Sequence, residues 1–428
     1  MFLKEGDGLS REDRLLGELI YDYRKRLRYS LQHLSVLSGI PKGTISKIER
    51  GETKHPELTT VLALASPLSI PYTVVLSHYI VTERRKNVLQ HLLMEAIQRG
   101  ESTVIEKVAT RFLQCDSDDS YDLLGELYSI TETVTDNTIK LGLFALITKY
   151  AREHGMQPYI AKALFQTYLI ERNDFSKLEL TFHTGTYLLN YINFFPEEEK
   201  ALFHFKLGFH AYALQMYEKS IELFSAVVKD YKSDQLTKAR ALLLTCNSYY
   251  YLGDYFLAEQ YMFDCKKYSF KEIQENIKLN EACILGRKGH VNQAISQLLI
   301  CLEQASTNDA IHVVNELLEL YLKINNIDAA GQLIKDELRI LDAEYKTPFK
   351  KSELALYHKL KAGYYILLKK YENAVECYIK SAILYSEISA HKSSSECFYL
   401  MFKMIADESV NIPVNNQLKE AYNVLRKT

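Results

Sequence analysis

Apolar residues recur along this chain at helical intervals almost from end to end. Leu16, Leu19, Ile20, Tyr23 and Leu27 share one face of a first helix. Leu31, Leu34 and Leu37 open a short second helix that stops at Gly39, a residue able to take the left-handed conformation that closes a helix. Pro41 has a φ suited to a first helical turn, and Ile45 and Ile48 give the third helix its apolar side. A fourth helix is predicted from about Glu57 to Ser66, with Leu58, Val61, Leu62, Leu64 and Ala65 inward, and a fifth after Pro71. A linker helix is expected next, carrying the charged stretch Glu83-Arg84-Arg85-Lys86. Helical periodicity then continues to the C-terminus, without a clear register over 90–160 and 390–428. Only 8 prolines and 17 glycines punctuate 428 residues, so the expected fold class is all-α.

Charge sharpens the reading of the first seventy residues. Arg24, Lys25, Arg26, Arg28, Lys42, Lys47, Arg50 and Lys54 face only Glu49 and Glu52, in a chain whose net charge is −2. A local basic patch on an otherwise balanced protein is the footprint of phosphate binding. Short helices, a tight Gly-containing turn and this patch together form a five-helix helix-turn-helix pattern. It resembles the lambda-repressor-like (Cro/C1, or XRE) DNA-binding domains. The resemblance rests on RKRLRYSLQHLSVLSGIPKGTISKIERGETKHP and the LTTVLALA helix after it, with TISKIERGE the most specific part. Position in the third helix makes Lys42, Gly43, Thr44 and Lys47 candidate readers of base edges. Arg28, Ser46, Arg50 and Lys54 suit phosphate contacts, which position without specifying. The resemblance implies that Glu49 anchors the bundle internally. Leu31 and Gly43 depart from it, since relatives often have glutamine and a polar residue there. Fewer base contacts follow, so binding as a dimer over two half-sites is expected.

Beyond residue 90 the pattern repeats. FHFKLGFHAYALQMYEKSIELFSAVVKDY (203–231) places Leu207-Gly208, Tyr217, Ser220, Phe224 and Val227 at tetratricopeptide (TPR) offsets. Copies follow around Ala258, Ala294, Ala330 and Ala374, with a weaker one around Leu178. A small residue on the second helix of each hairpin lets the first approach closely, and stacked hairpins build a solenoid with one concave face. Cys246, Cys265, Cys283 and Cys301 recur at half-repeat spacing, which fits buried packing positions. The expected organisation is a helix-turn-helix domain over 1–70, a linker helix over 71–90 and a TPR-like domain over 91–428, used for peptide binding and dimerisation.

A DNA-binding module joined to such a solenoid resembles the RRNPP family, the intracellular peptide-pheromone receptors of Gram-positive bacteria and their phages. The resemblance implies a cytoplasmic quorum-sensing regulator. It would bind double-stranded operator DNA as a homodimer and be switched by a short signalling peptide in the concave groove. Asparagine can pair both polar groups of an extended peptide backbone, and relatives use inner-helix asparagines this way. Counting from the repeat anchors gives the expected inner face as Phe209, Tyr212, Arg240, Asn247, Tyr250, Asn280, Asn315, Glu319 and Lys359. Asn247 and Asn315 are the leading backbone clamps, while Arg240, Glu319 and Lys359 suit peptide termini or charged side chains. Two alternatives stand beside this reading. One is a TPR protein that also inhibits a phosphorelay response regulator, for which Gln166 and Gln215 cannot be told from surface residues. The other is a constitutive DNA-binding adaptor without a peptide ligand.

Little points to chemistry. There is no Walker A run, GxGxxG, HExxH or GxSxG. The seven cysteines form no CxxC pair and no zinc-like Cys/His spacing, so no cofactor or metal is expected. The longest apolar run, LTTVLALASPLSIPYTVVL, is broken by Pro67 and Pro71 and falls short of a membrane span. No membrane partner is expected.

Overall fold

The computed structural model describes residues 16–53, 55–116, 118–229, 234–306, 309–341 and 343–407. Among them every regular element is helical. The chain divides into two compact units, Met1–Ile170 and Glu171–Thr428. The first holds α1 (Leu16–Arg26), α2 (Leu31–Ser38), α3 (Lys42–Glu49), α4 (Leu58–Ala65) and α5 (Tyr72–Thr82). It continues with α6 (Lys86–Arg99), α7 (Ser102–Leu113), α8 (Ser120–Thr133), α9 (Asn137–Glu153) and α10 (Gln157–Glu171). The second begins with α11 (Leu178–Leu188) and carries five hairpins. They are α12 (Glu197–Ala213) with α13 (Tyr217–Lys229), α14 (Gln235–Tyr251) with α15 (Tyr255–Cys265), and α16 (Lys271–Arg287) with α17 (Val291–Gln304). Then come α18 (Ala310–Lys323) with α19 (Ile327–Lys335), the short α20 (Leu338–Leu341), α21 (Pro348–Leu367) with α22 (Tyr371–Ser386), and α23 (His391–Asp407).

Local chemistry sets the ends of the first helices. Ser30 caps α2 by accepting from the His33 amide, and Gly39 closes it at φ 72°. Leu16, Leu19, Ile20, Leu34, Ile45, Ile48, Val61 and Leu64 form the small core beneath. Gly17 is the tightest point. A Cβ there would lie 2.2 Å from the Ile48 carbonyl oxygen, so α1 and α3 touch backbone to side-chain position. Leu27 and Leu37, expected inward, are 42% and 48% exposed. Leu27 has left the helical register, because α1 ends at Arg26 and Arg28 turns the chain at φ 57°. Leu37 lies in the last turn of α2.

The stretch 83–86 does not run through a linker helix. The chain breaks between α5 and α6, and Glu83 is buried at the break. Its carboxylate accepts from the amides of Arg84 and Arg85, from the Arg85 guanidinium and from the Tyr79 hydroxyl. The Arg111 side chain donates to its carbonyl. α5 packs on α1, α4 and α7, so the residues expected as linker belong to the body of the first unit.

The second unit shows why its repeats recur. Gln215, Gly253, Gly289, Asn325 and Lys369 all have φ between 56° and 94°, each five residues before a small residue of the second helix. In each turn the next amide reaches five residues back, as from Asp254 to the Tyr249 carbonyl and from His290 to Leu285. The small residues Ser220, Ala258, Ala294, Ala330 and Ala374 are each 0% exposed. Ser220 Oγ donates to the Gly208 carbonyl of the facing helix at 3.0 Å, which removes the cost of burying a hydroxyl there. Leu178 does not fit this scheme. It begins α11 and packs among residues of α21, α22 and α23, so the start of this unit meets its end. The cysteines fall one per helix on α14 to α17, and all are free, with Cys301 alone among the seven only half-buried.

Three substitutions test these contacts. Gly17→Ala should lower the protection of α1 and α3 amides in hydrogen exchange, while Gly43→Ala, with nothing within 4 Å of its Cβ, should stabilise α3 by about 0.5–1 kcal/mol. The Glu83 carboxyl is pushed up by burial but held down by Arg85 and Tyr79, to about 2 from an ordinary 4.5. Its contribution is therefore fully present above pH 4.5 and lost as pH falls through about 2. Glu83→Gln should flatten the acid limb of a stability–pH curve over that window, and an unchanged limb would dismiss the role.

Candidate DNA-binding face and ligand groove

α3 buries Ile45 and Ile48 and turns its other side to solvent. Lys42, Gly43 and Lys47 are exposed, and Thr44 and Ser46 are half-buried beside them. Pro41 precedes Lys42, so the first turn of α3 presents its side chains without a side-chain cap. Arg28 is exposed in the left-handed turn after α1, and Arg50 is exposed just past α3. Arg50 pairs with Glu52 at 3.2 Å on the surface, a contact too solvated to withhold it from a phosphate. Lys54 lies outside the described residues. One buried ion pair seats the whole face. Arg24 Nε and Nη2 each meet a Glu49 carboxylate oxygen at 2.6 Å, and Arg24 Nη1 donates to the Tyr29 carbonyl at 2.9 Å. This ties α1, the turn into α2 and the end of α3 together.

In the second unit the inner helices border two cavities. One, of about 400 Å³, is lined by Phe205, Lys206 and Phe209 on α12, Arg240 on α14, Glu272 and Asn276 on α16, and by Arg172. Burial and the neighbouring Arg172 and Arg240 push the Lys206 ammonium below its usual pKa. Arg240 itself is held by Glu272 at 2.7 and 3.1 Å. The other cavity, of about 510 Å³, adjoins the first at Glu272 and Asn276. Asn247, Asn280, Asp309, His312, Phe349 and Lys350 form much of its wall. Asn280 Nδ2 donates to Asn247 Oδ1 at 2.7 Å, so the two amides stand side by side.

Of the nine expected inner-face residues, Phe209, Arg240, Asn247 and Asn280 come together on this groove. The others are placed elsewhere. Tyr212 is buried in an aromatic cluster with Tyr217, Tyr251 and Phe349, its ring centre 5.4 Å from that of Phe349. Asn315 is 2% exposed and donates to the Glu353 carbonyl and carboxylate at 2.8 and 2.9 Å. Tyr250 donates to Glu316 at 2.8 Å and accepts from Arg287 at 2.7 Å. Glu319 forms a two-pronged pair with Arg287, and Lys359 pairs with Glu396 at 2.9 Å. Gln215 occupies one of the left-handed turns and accepts from Ser393.

Lys206, Asn276, His312 and Lys350 were not anticipated. Asn276 could have been, since it precedes Asn280 by one helical turn on α16. His312 and Lys350 depend on how closely α18 and α21 approach, which no local pattern reports. Beneath the groove, His312 Nδ1 lies 3.0 Å from Glu353 Oε2. Burial works against both charges, but each partner favours the other. The His312 pKa ends above its usual value and the Glu353 pKa below.

Among the described residues no helix is long and apolar enough to cross a membrane. Residues 20–75 match the family model HTH_3, Helix-turn-helix. The HTH-type transcriptional regulator SlrR of Bacillus subtilis (strain 168) is 37% identical over 59 residues, 14% of this chain and 39% of that protein. The uncharacterized HTH-type transcriptional regulator RghRB of the same strain is 38% identical over 56 residues, 13% of this chain and 40% of its own. The chain thus spans about two-fifths of the length of these curated relatives. Among solved structures, the apo form of the quorum sensor NprR from B. thuringiensis is 13% identical, with 89% of this chain and 99% of that one aligned at a TM-score of 0.35. A Rap protein complexed with competence and sporulation factor is 12% identical, with 76% and 99% aligned at 0.39. The match in sequence falls on α2, α3 and α4 with parts of α1 and α5, and the Arg24–Glu49 pair ties α1 to α3 within it. Residues 20–75 of this chain are a helix-turn-helix domain.

Proposed function

We propose that this protein is a peptide-responsive transcription regulator of the RRNPP type. α3 enters the major groove of operator DNA, two copies of the chain cover two half-sites, and a short extended peptide in the groove of the second unit sets operator occupancy. The DNA half of the reading is supported by the helix-turn-helix match and by the exposed Lys42, Thr44 and Lys47 on a helix whose opposite side is buried. The peptide half is carried by one observation. Asn247, Asn276 and Asn280 line adjoining cavities on consecutive inner helices, with Lys206, Arg240 and Lys350 at their borders. Side-chain amides at that spacing suit a backbone with a donor and an acceptor at every residue, and the cations suit its carboxylate end.

Lys47→Ala should weaken binding to the preferred sequence by about 1–3 kcal/mol while leaving nonspecific binding nearly unchanged. Arg50→Ala should weaken all sequences alike and lower the slope of log K against log salt by about one. Both are read by fluorescence anisotropy on DNA from upstream of the protein's own gene. No binding to that DNA at low salt, with or without peptide, would end the regulator reading. Calorimetry with short peptides encoded beside the gene tests the groove. Asn247→Ala with Asn280→Ala should abolish the heat of binding and leave DNA affinity of the peptide-free protein as it was.

A further inference from the structure

We propose that Cys283, His312 and Glu316 form a binding site for a divalent transition-metal ion of the zinc class, beneath the groove and separate from the peptide reading. His312 and Glu316 are four residues apart on α18, so both project from one face of that helix. Cys283 comes from the neighbouring inner helix α16. One ligand atom from each, a ring nitrogen, a thiol sulfur and a carboxylate oxygen, lie within 4.8 Å of one another. Donors around tetrahedral zinc sit roughly 3.5 Å apart. The cluster therefore needs to contract by about an ångström at its widest, within reach of side-chain rotation.

The surroundings are those a metal-binding histidine uses. The contact from His312 Nδ1 to Glu353 Oε2 at 3.0 Å places a proton on Nδ1, so the imidazole would bind a metal through Nε2 after releasing any proton held there. Glu353 is itself fixed by Asn315 Nδ2 at 2.9 Å. Glu316 is oriented by the Tyr250 hydroxyl at 2.8 Å and by Arg287 Nη2 at 3.5 Å, and Arg287 is held more closely by Glu319 at 2.7 Å. His312 and Glu316 thus each have an outer partner that aims them. A thiolate, a neutral imidazole and a carboxylate also balance a doubly charged ion, which a buried position demands. Cys283 is 3% and Glu316 7% exposed. Sulfur and nitrogen donors select zinc-class ions over magnesium or calcium, which take oxygen. His312 lines the 510 Å³ cavity, which supplies an entry path and room for water as a fourth ligand.

The test is a Co(II) titration of the full chain after chelator treatment. One equivalent should produce visible d–d bands of a four-coordinate site and a near-ultraviolet thiolate-to-cobalt band, and Zn(II) should abolish both. Cys283→Ser should lose the thiolate band. Glu353→Gln keeps all three ligands and should weaken Co(II) by about 10–100-fold. X-ray absorption of the zinc-loaded wild type, which requires no variant to fold, should show one sulfur with nitrogen and oxygen neighbours. Absence of the thiolate band in the wild type, its persistence in Cys283→Ser, or a zinc shell with no sulfur or with several would each overturn the site.

Discussion

Helices in residues 171–428 approach as closely as a hydroxymethyl or a methyl group allows. Ser220, Ala258, Ala294, Ala330 and Ala374 stand at the points of contact, each without exposed surface. A left-handed residue five positions earlier reverses the chain in the same way each time. Identical turns and identical contacts rotate each hairpin on the last by a similar step, so curvature accumulates. Its effect is visible where the inner helices converge. Tyr212 on α12 meets Phe349 on α21, and Leu178 joins a cluster built from α21, α22 and α23. The interior thereby becomes crowded with side chains that a more open array would leave facing water.

That crowding explains the buried polar cluster. Glu353, Glu316, His312 and Arg287 are charged groups with little water, and each is kept by a partner. Burial raises the Glu353 pKa, yet His312 and Asn315 more than offset it. Glu316 keeps a raised pKa, because burial outweighs His312 and Arg287. Such a network adds little net stability compared with packed hydrocarbon, but breaking one member leaves another stranded. Asn247 and Asn280 are held against each other, so the proposed ligand would meet amides already in place and lose less ordering entropy on binding.

How much of this could be read from the residues alone depended on the range of the forces involved. The end of α2 and the start of α3 were legible because Gly39 and Pro41 act within a few residues, whereas the Ser30 cap shows only in the structure. The small positions of the second unit were legible because each records a contact inside one hairpin. Phe209, Arg240, Asn247 and Asn280 followed from repeat counting and do line the groove. Tyr212 and Asn315 follow the same count, yet they are buried. Phe349 lies four hairpins on from Tyr212, on a helix whose approach is a sum of several small rotations, and Glu353 belongs to the hairpin after that of Asn315. Glu83 was hidden for another reason. In sequence it begins a run of four charges, which reads as a solvated helix face, and only its bonds to the amides that follow make it the stop between two helices.

The recognition helix poses a question of magnitude. Gly43 faces open space and carries no side chain to offer a base, and Leu31 brings none from α2. Lys42, Thr44 and Lys47 remain. A good base contact discriminates by about 1–3 kcal/mol, while regulators commonly separate specific from nonspecific sites by about 4–10 kcal/mol. Three contacts of ordinary quality place one copy at the lower end of that range. A second copy on an adjoining half-site doubles the number of contacts without asking more of either helix. The same arithmetic would make the proposed pair responsive. In the proposed dimer, where one copy alone binds weakly, a change in the spacing of the two would alter occupancy sharply, and a ligand groove far along the chain from α3 would need to supply only a few kcal/mol of preference between two arrangements.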